Sequence, residues 1–255
     1  MRIKLTLEYD GTNYCGWQIQ PNGVTVQQQI ENAVLAVTGE KVSVTASGRT
    51  DSGVHALGQV AHFDTNSSIP PERFAPALNS ALPSDVRVLK SELVSEEFHS
   101  RFSAKKKTYA YKFYVSDVIR PLTDRYAAFV TFPLDFAAMK RVCELFIGTK
   151  DFRAFMATGS EVSDTVRTVY DAKITLSDDG VFTFTVTGNG FLYNMVRIMA
   201  GTLVAAGEGK ISRQNVLDAF SSGNRNLLGK TMPARGLTLV SVEYPCDGEE
   251  NLPLS

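Results

Sequence analysis

Apolar residues in this chain switch between a period of two and a helical period, and the order of those switches limits the fold more than any other feature. In residues 2–9, Ile3, Leu5 and Leu7 alternate with Lys4, Thr6 and Glu8, the pattern of a half-buried strand. Thr25 and Gln28 stand as a capping-box pair ahead of a helical stripe, Val26, Ile30, Ala33, Val34 and Val37, and Gly39 supplies the stop. A β-branched run follows, Val42-Ser43-Val44-Thr45, and then an alternating one, Gln59-Val60-Ala61-His62-Phe63. Pro70-Pro71 opens a second helix to about Asn79, closed by Leu82-Pro83, and residues 86–94 read as another strand. A β-α-β-β-α-β order is the ferredoxin-like, or split β-α-β, arrangement.

The second half repeats that order loosely, without an internal sequence repeat. Residues 108–115 are strand-like, with Tyr109, Tyr111 and Phe113 on one face. A helix is expected over about 135–147, and a hairpin over 165–176 and 181–188 across Asp178-Asp179-Gly180. A long helix over roughly 191–206 carries Met195, Ile198, Met199, Thr202 and Leu203 on its apolar face, with Arg197 among them. A further helix over 212–221 and a strand over 237–244 complete the pattern. A chain of 255 residues accommodates one large domain or two of ordinary size.

Composition excludes several classes. No apolar run approaches the ~20 residues of a membrane span, and the charged start Met1-Arg2-Ile3-Lys4 reads as a strand rather than a signal peptide. Cys15, Cys143 and Cys246 are scattered and form neither a metal-spacing pair nor a disulfide framework, which points to the cytoplasm. The three histidines lack carboxylate partners at metal-ligand spacing, and no phosphate-binding glycine loop, dinucleotide fingerprint or Gly-x-Ser-x-Gly elbow is present. No cofactor and no metal are therefore expected. Net charge is −1, yet residues 101–125 hold Arg101, Lys105, Lys106, Lys107, Lys112, Arg120 and Arg125 against two aspartates. Such a segment suits a polyanion, or is a solvated face. Glu243, Asp247, Glu249 and Glu250 make the tail acidic.

The chemistry centres on Gly48-Arg49-Thr50-Asp51-Ser52-Gly53-Val54-His55, a loop with glycines that let the chain turn between two strands. Arg49 near Asp51 would hold a carboxylate ionised and aim it, as a nucleophile or base needs. The alternative is an Asx-turn. The earlier stretch Tyr9-Asp10-Gly11-Thr12-Asn13-Tyr14-Cys15-Gly16-Trp17-Gln18-Ile19-Gln20 offers aromatics and amides that stack on and read bases. A lone Trp17 is more often a packing residue than a base platform.

Seven blocks, in order, resemble the tRNA pseudouridine synthase A family. They are Glu8-Tyr9-Asp10-Gly11 with Gly16-Trp17-Gln18-Ile19-Gln20, the Asp51 loop with Gly58-Gln59-Val60, and Phe98-His99-Ser100-Arg101-Phe102-Ser103-Ala104. Then come Tyr109-Ala110-Tyr111, Thr165-Val166-Arg167, Phe191-Leu192-Tyr193-Asn194-Met195-Val196-Arg197, and Pro233-Ala234-Arg235-Gly236-Leu237. Ser52 and Ser100 stand where the family usually shows alanine, small for small.

That resemblance implies an enzyme that isomerises uridine to pseudouridine at positions 38, 39 and 40 of the tRNA anticodon stem-loop, without cofactor and as a cytoplasmic homodimer. It implies Asp51 as nucleophile, Tyr109 against the target base, Arg197 paired with the catalytic carboxylate and Leu237 near the uracil. Arg49, Lys105, Lys106 and Lys107 are expected to contact RNA, and His55 to be structural or RNA-contacting. The residues leave open whether Asp51 attacks ribose C1′, adds to base C6 or removes the 2′ hydrogen. The expected architecture is α+β: two ferredoxin-like-type halves with antiparallel sheets joined across a central RNA-binding cleft. Residues 1–103 would carry the Asp51 loop, and residues 104–255 would complete the active site. Two rival functions are a non-catalytic RNA binder and a nucleoside glycosylase.

Overall fold

A computed structural model describes residues 1–159 and 162–245; Cys246, Asp247, Glu249 and Glu250 lie outside the described residues. The chain forms two compact units, one of Met1–Lys107 with Leu239 onward, the other Thr108–Thr238.

In the first unit the elements are β1 (Arg2–Tyr9), α1 (Val26–Thr38), β2 (Thr45–Ala46), β3 (His55–Asp64), α2 (Phe74–Ala81) and β4 (Val86–Val94). The strands run β4-β1-β3, with β2 on the other side of β3, which is the ferredoxin-like order. β1 is antiparallel to both neighbours, pairing Ile3 with Phe63 on one side and with Leu93 on the other. Its alternation buries Ile3, Leu5, Leu7 and Tyr9. Helix α1 lays Val26, Ile30, Ala33 and Val34 on this core. The Thr25 side chain accepts the Gln28 amide, and Gly39, at φ 75°, ends the helix. Phe74 of α2 meets Phe63 of β3 edge to face, with centroids 5.6 Å apart.

The second unit takes in most of β5 (Lys106–Val115), then α3 (Pro121–Asp124), β6 (Ala128–Val130), α4 (Phe136–Cys143) and β7 (Gly148–Asp151). It continues with β8 (Val166–Leu176), β9 (Val181–Gly188), α5 (Met195–Gly207), α6 (Arg213–Ser222) and the start of β10 (Leu237–Glu243). Its order β5-β9-β8 matches β1-β3-β2 of the first unit, with β7 added beyond β8. One short pairing departs from the expected antiparallel sheets. β6 lies parallel to β5, because residues 116–127 form a crossover long enough to bring the chain back in the same direction. The helix expected from 191 begins at Met195, since Asn194 takes a left-handed conformation (φ 60°). β2 is likewise shorter than the run 42–45 suggested. The core is largely phenylalanine: Phe146, Phe152, Phe155, Phe184 and Phe220 meet in rings 5.0 to 5.9 Å apart.

Helix α5 sits directly on backbone. A Cβ on Gly201 would stand 1.8 Å from the Lys230 carbonyl oxygen, and one on Gly229 would stand 2.1 Å from that of Gly201. Gly201→Ala is therefore expected to force two backbones apart and to cost about 2 kcal/mol or more of stability. Urea denaturation measures it, and an unchanged midpoint would contradict the contact.

Candidate functional site

In the first unit the Asp51 loop joins β2 to β3, and its inward-facing carbonyls each meet a donor. Lys107 Nζ donates to the Ser47 carbonyl at 2.6 Å, Gln59 Nε2 to that of Gly48 at 2.9 Å, and the Trp17 amide to that of Thr50 at 3.0 Å. The Ser47 hydroxyl donates to Gln59 Oε1 at 2.7 Å, and Tyr9 and Thr50 share a hydroxyl contact of 2.8 Å. Gln59 and Thr50 are buried, and burial raises Tyr9 to about 12, so this hydroxyl stays protonated.

The loop is clamped from above by residues 10–17. A Cβ on Gly11 would fall 2.0 Å from the Val54 oxygen, and one on Gly16 2.6 Å from that of Thr50. The Gly53 amide and the Ser52 hydroxyl both donate to the Tyr14 carbonyl. His55 is buried, with the Gly11 amide 3.0 Å and Asp10 Oδ1 3.1 Å from its Nδ1. A neutral Nδ1 accepts from Gly11 and a protonated one donates to Asp10; either way the ring braces the loop. Trp17 is 3% exposed against the Tyr9 ring, so it is a packing residue. Asp51 is half-buried, whereas Arg49 and Gln18 are exposed.

The lysine run divides into three fates. Lys105 is exposed, Lys106 is exposed but lies 3.7 Å from Glu243, and Lys107 turns inward beneath the loop. Of the three lysines expected to contact RNA, Lys107 has its ammonium engaged by a backbone carbonyl, that of Ser47. Burial, helped by Arg101, lowers its pKa to about 8.

Tyr109, Arg197 and Leu237 belong to the second unit. Arg197, in the first turn of α5, donates through Nε to the Met232 carbonyl at 2.7 Å and through Nη1 to Asn194 Oδ1 at 2.6 Å. The Met232 amide returns to the Arg197 carbonyl. Next along the same segment, the Pro233 carbonyl accepts the Tyr111 hydroxyl at 2.7 Å. A Cβ on Gly236 would sit 2.6 Å from both the Lys112 oxygen and the Tyr111 ring. The segment running to Leu237 therefore ties Arg197's helix to Tyr109's strand. Tyr109 is buried edge-on to Phe191, with centroids 5.2 Å apart, and Leu237 is buried at the start of β10.

Tyr9, Thr50 and Gln59 were not singled out from the sequence. Gln59 could have been, as an amide one position before the buried pair Val60 and Ala61 on the returning strand. Among the described residues, no group of three or more His, Cys, Asp or Glu side chains could hold a metal, and no helix is long and apolar enough to cross a membrane.

A family profile described as tRNA pseudouridine synthase matches residues 6–103 and 142–245. Proteins called tRNA pseudouridine synthase A are similar along nearly their whole length. That of Ruminiclostridium cellulolyticum is 47% identical over 95% of this chain and 99% of its own. That of Clostridium acetobutylicum is 48% identical over the same shares, and that of Acetivibrio thermocellus 47%.

Lys107 makes stability depend on pH with a definite sign. Unfolded, it releases its proton near 10.5; folded, at about 8. Below pH 8 both states are charged and the full cost of burying the ammonium is present; the cost fades between pH 8 and 10.5 and is gone above. Relative to Lys107→Met, the parent is expected to gain stability across that window. Urea midpoints from pH 7 to 10.5 measure it, and a flat difference would refute the buried charge.

Proposed function

The chain belongs to the tRNA pseudouridine synthase family, and from that premise we propose that it converts uridine to pseudouridine at positions 38, 39 and 40 of the tRNA anticodon stem-loop, with Asp51 as nucleophile. The observation that carries the choice of Asp51 is the bracing of its loop: three carbonyls held by named donors and two glycines pressed against its backbone. A surface Asx-turn has no need of that support, whereas a reacting carboxylate has to be held to a fraction of an ångström.

The reaction breaks the N1 glycosidic bond, rotates the detached uracil and rejoins it through C5, which gives up its proton while N1 takes one up. The target nucleotide first leaves its stack, at a cost of a few kcal/mol. Tyr109 is assigned to the base, which an aromatic ring holds by stacking. Arg197 is assigned as the permanent cation that keeps the catalytic carboxylate ionised. Leu237 is assigned to the apolar edge of the uracil. These three roles rest on the motif match. Arg49 and Lys105 are assigned to RNA phosphates, with Lys106 sharing its charge between RNA and Glu243. The reading includes no cofactor, a homodimer and a cytoplasmic location.

Asp51→Asn is expected to keep the fold and tRNA binding and to abolish turnover, because the nearly isosteric amide is no nucleophile. Chromatography of digested tRNA after incubation reads the outcome. Pseudouridine from the parent alone supports the assignment, abasic sites would indicate a glycosylase, and unchanged uridine with the parent would indicate a binder. Pseudouridine formed by Asp51→Asn at the parent rate would remove Asp51 from the centre.

Arg197→Met is expected to lose both activity and several degrees of melting temperature, since its guanidinium holds Met232 and Asn194. Arg49→Met, at an exposed position, is expected to leave the melting temperature unchanged and to reduce turnover less. Initial rates and melting curves compare them, and equal losses at both would contradict the division of roles.

A further inference from the structure

Residues 99–103 form a turn more tightly built than a surface connection requires. His99 Nδ1 accepts the amides of Arg101 at 3.2 Å and Phe102 at 3.3 Å, which places the ring proton on Nε2. The His99 amide donates to the Ser103 hydroxyl at 3.0 Å, and the Ser103 amide donates to the His99 carbonyl at 2.9 Å. Beneath, Ser100 is fully buried and anchors the turn. Its hydroxyl donates to the Thr45 carbonyl at 2.7 Å, its amide to His62 Nδ1 at 3.2 Å, and its carbonyl accepts the Tyr244 hydroxyl at 2.7 Å. Burial lowers His62 to about 4, so it remains a neutral acceptor at physiological pH.

All this holds out one apolar side chain. Phe102 is 77% exposed, with the His99 ring 4.3 Å from its own and tilted by 32°, and the Arg101 guanidinium 5.6 Å from its centroid. At that exposure most of the ring surface is accessible. A single exposed phenylalanine is ordinary on a protein surface. One fixed by four turn bonds, and set against an imidazole and a guanidinium, is what an RNA base needs: a rigid, exposed π-surface beside a positive charge. Exposed Arg49, Arg101 and Lys105 lie in the same unit. The turn is anchored at Thr45, two residues before Ser47 at the base of the Asp51 loop. Its cations suit RNA better than they suit an apolar protein surface.

We propose that the turn His99–Phe102 is a nucleobase-stacking platform, taking on the Phe102 ring a base of the tRNA other than the reacting uridine. The proposal rests on the reading of the chain as a tRNA-modifying enzyme and adds a contact outside the reaction centre. Stacking is worth roughly 1–3 kcal/mol per base, so its removal corresponds to about 5- to 150-fold in affinity.

The test measures binding of an unmodified tRNA transcript to the full chain at several salt concentrations. Phe102→Ala is expected to raise Kd at least about fivefold at every salt without altering the slope of log Kd against log salt, because no phosphate contact is lost. Phe102→Tyr is expected to stay near the parent, and both to keep the parent melting temperature. In Phe102→Trp the added indole emission is expected to be quenched by the transcript but not by heparin, a polyanion without bases. Parent affinity for Phe102→Ala, a slope change of about one, or an added indole emission that tRNA leaves unchanged or that heparin quenches equally, would each overturn the platform. The binding assay is repeated with Asp51→Asn. Pseudouridine formation by that variant would refute the reading of Asp51 and leave the platform to be judged by binding alone.

Discussion

The bond from the Lys107 ammonium to the Ser47 carbonyl sets the terms for the site in the first unit. A loop that points carbonyl oxygens into a protein must supply donors for them, since each left unsatisfied costs on the order of 1–3 kcal/mol. Here Lys107 serves Ser47, Gln59 serves Gly48 and Trp17 serves Thr50. Those donors come from the start of β5, from β3 and from the loop after β1, so strands distant in sequence converge on one short connection. The lysine is a costly donor, as its lowered pKa records. A fold selected only for stability would more readily use a neutral group there. Retention of a charge at the base of the Asp51 loop fits a segment whose geometry has to be fixed.

Much of this could be read from the sequence where a single period dominates. β1, α1, β4 and the β8–β9 hairpin fall where alternation, capping and the Asp-Asp-Gly turn place them. The pattern misled where side chains took over backbone bonding. The run 42–45 is β-branched, yet the Val44 amide donates to Glu31 of α1, so ladder pairing begins only at Thr45. At α5 the apolar residues Phe191 and Leu192 extend the helical pattern, but Asn194 adopts the left-handed conformation and the helix starts after it. Charge counting alone did not separate Lys107, which turns to Ser47, from its two neighbours. The period-two register that puts Tyr109, Tyr111 and Phe113 on one face of β5 reaches back to residue 107, and that register outweighs membership of a lysine run.

In the second unit the equivalent constraint is steric rather than polar. Gly201 and Gly229 let α5 and the 229–230 backbone approach closer than any side chain allows, and Gly236 does the same against β5. Between those contacts lie Met232 and Pro233, whose carbonyls hold Arg197 and Tyr111. The helix bearing the arginine and the strand bearing Tyr109 are thus referred to one segment, so their relative position does not depend on the intervening loops. Alternation across β5 then decides which tyrosine does what. Tyr111 has its hydroxyl engaged by Pro233 and its pKa pushed up by burial, which makes it a structural residue. Tyr109, two positions earlier on the same face, meets Phe191 edge to face.

Charge on this protein acts by placement, since a net charge of −1 attracts no polyanion as a whole. Of the cations that lie close in sequence, Lys107 is engaged inward by Ser47 and Lys106 shares its charge with Glu243. Within the second unit, Arg120 donates to the Asp179 carbonyl. Arg49, Arg101 and Lys105 are exposed in the first unit. Two of those three are arginines, whose flat guanidinium both binds phosphate bidentately and lies against aromatic rings, as Arg101 does over Phe102. A surface so composed favours a few oriented contacts over attraction by bulk charge.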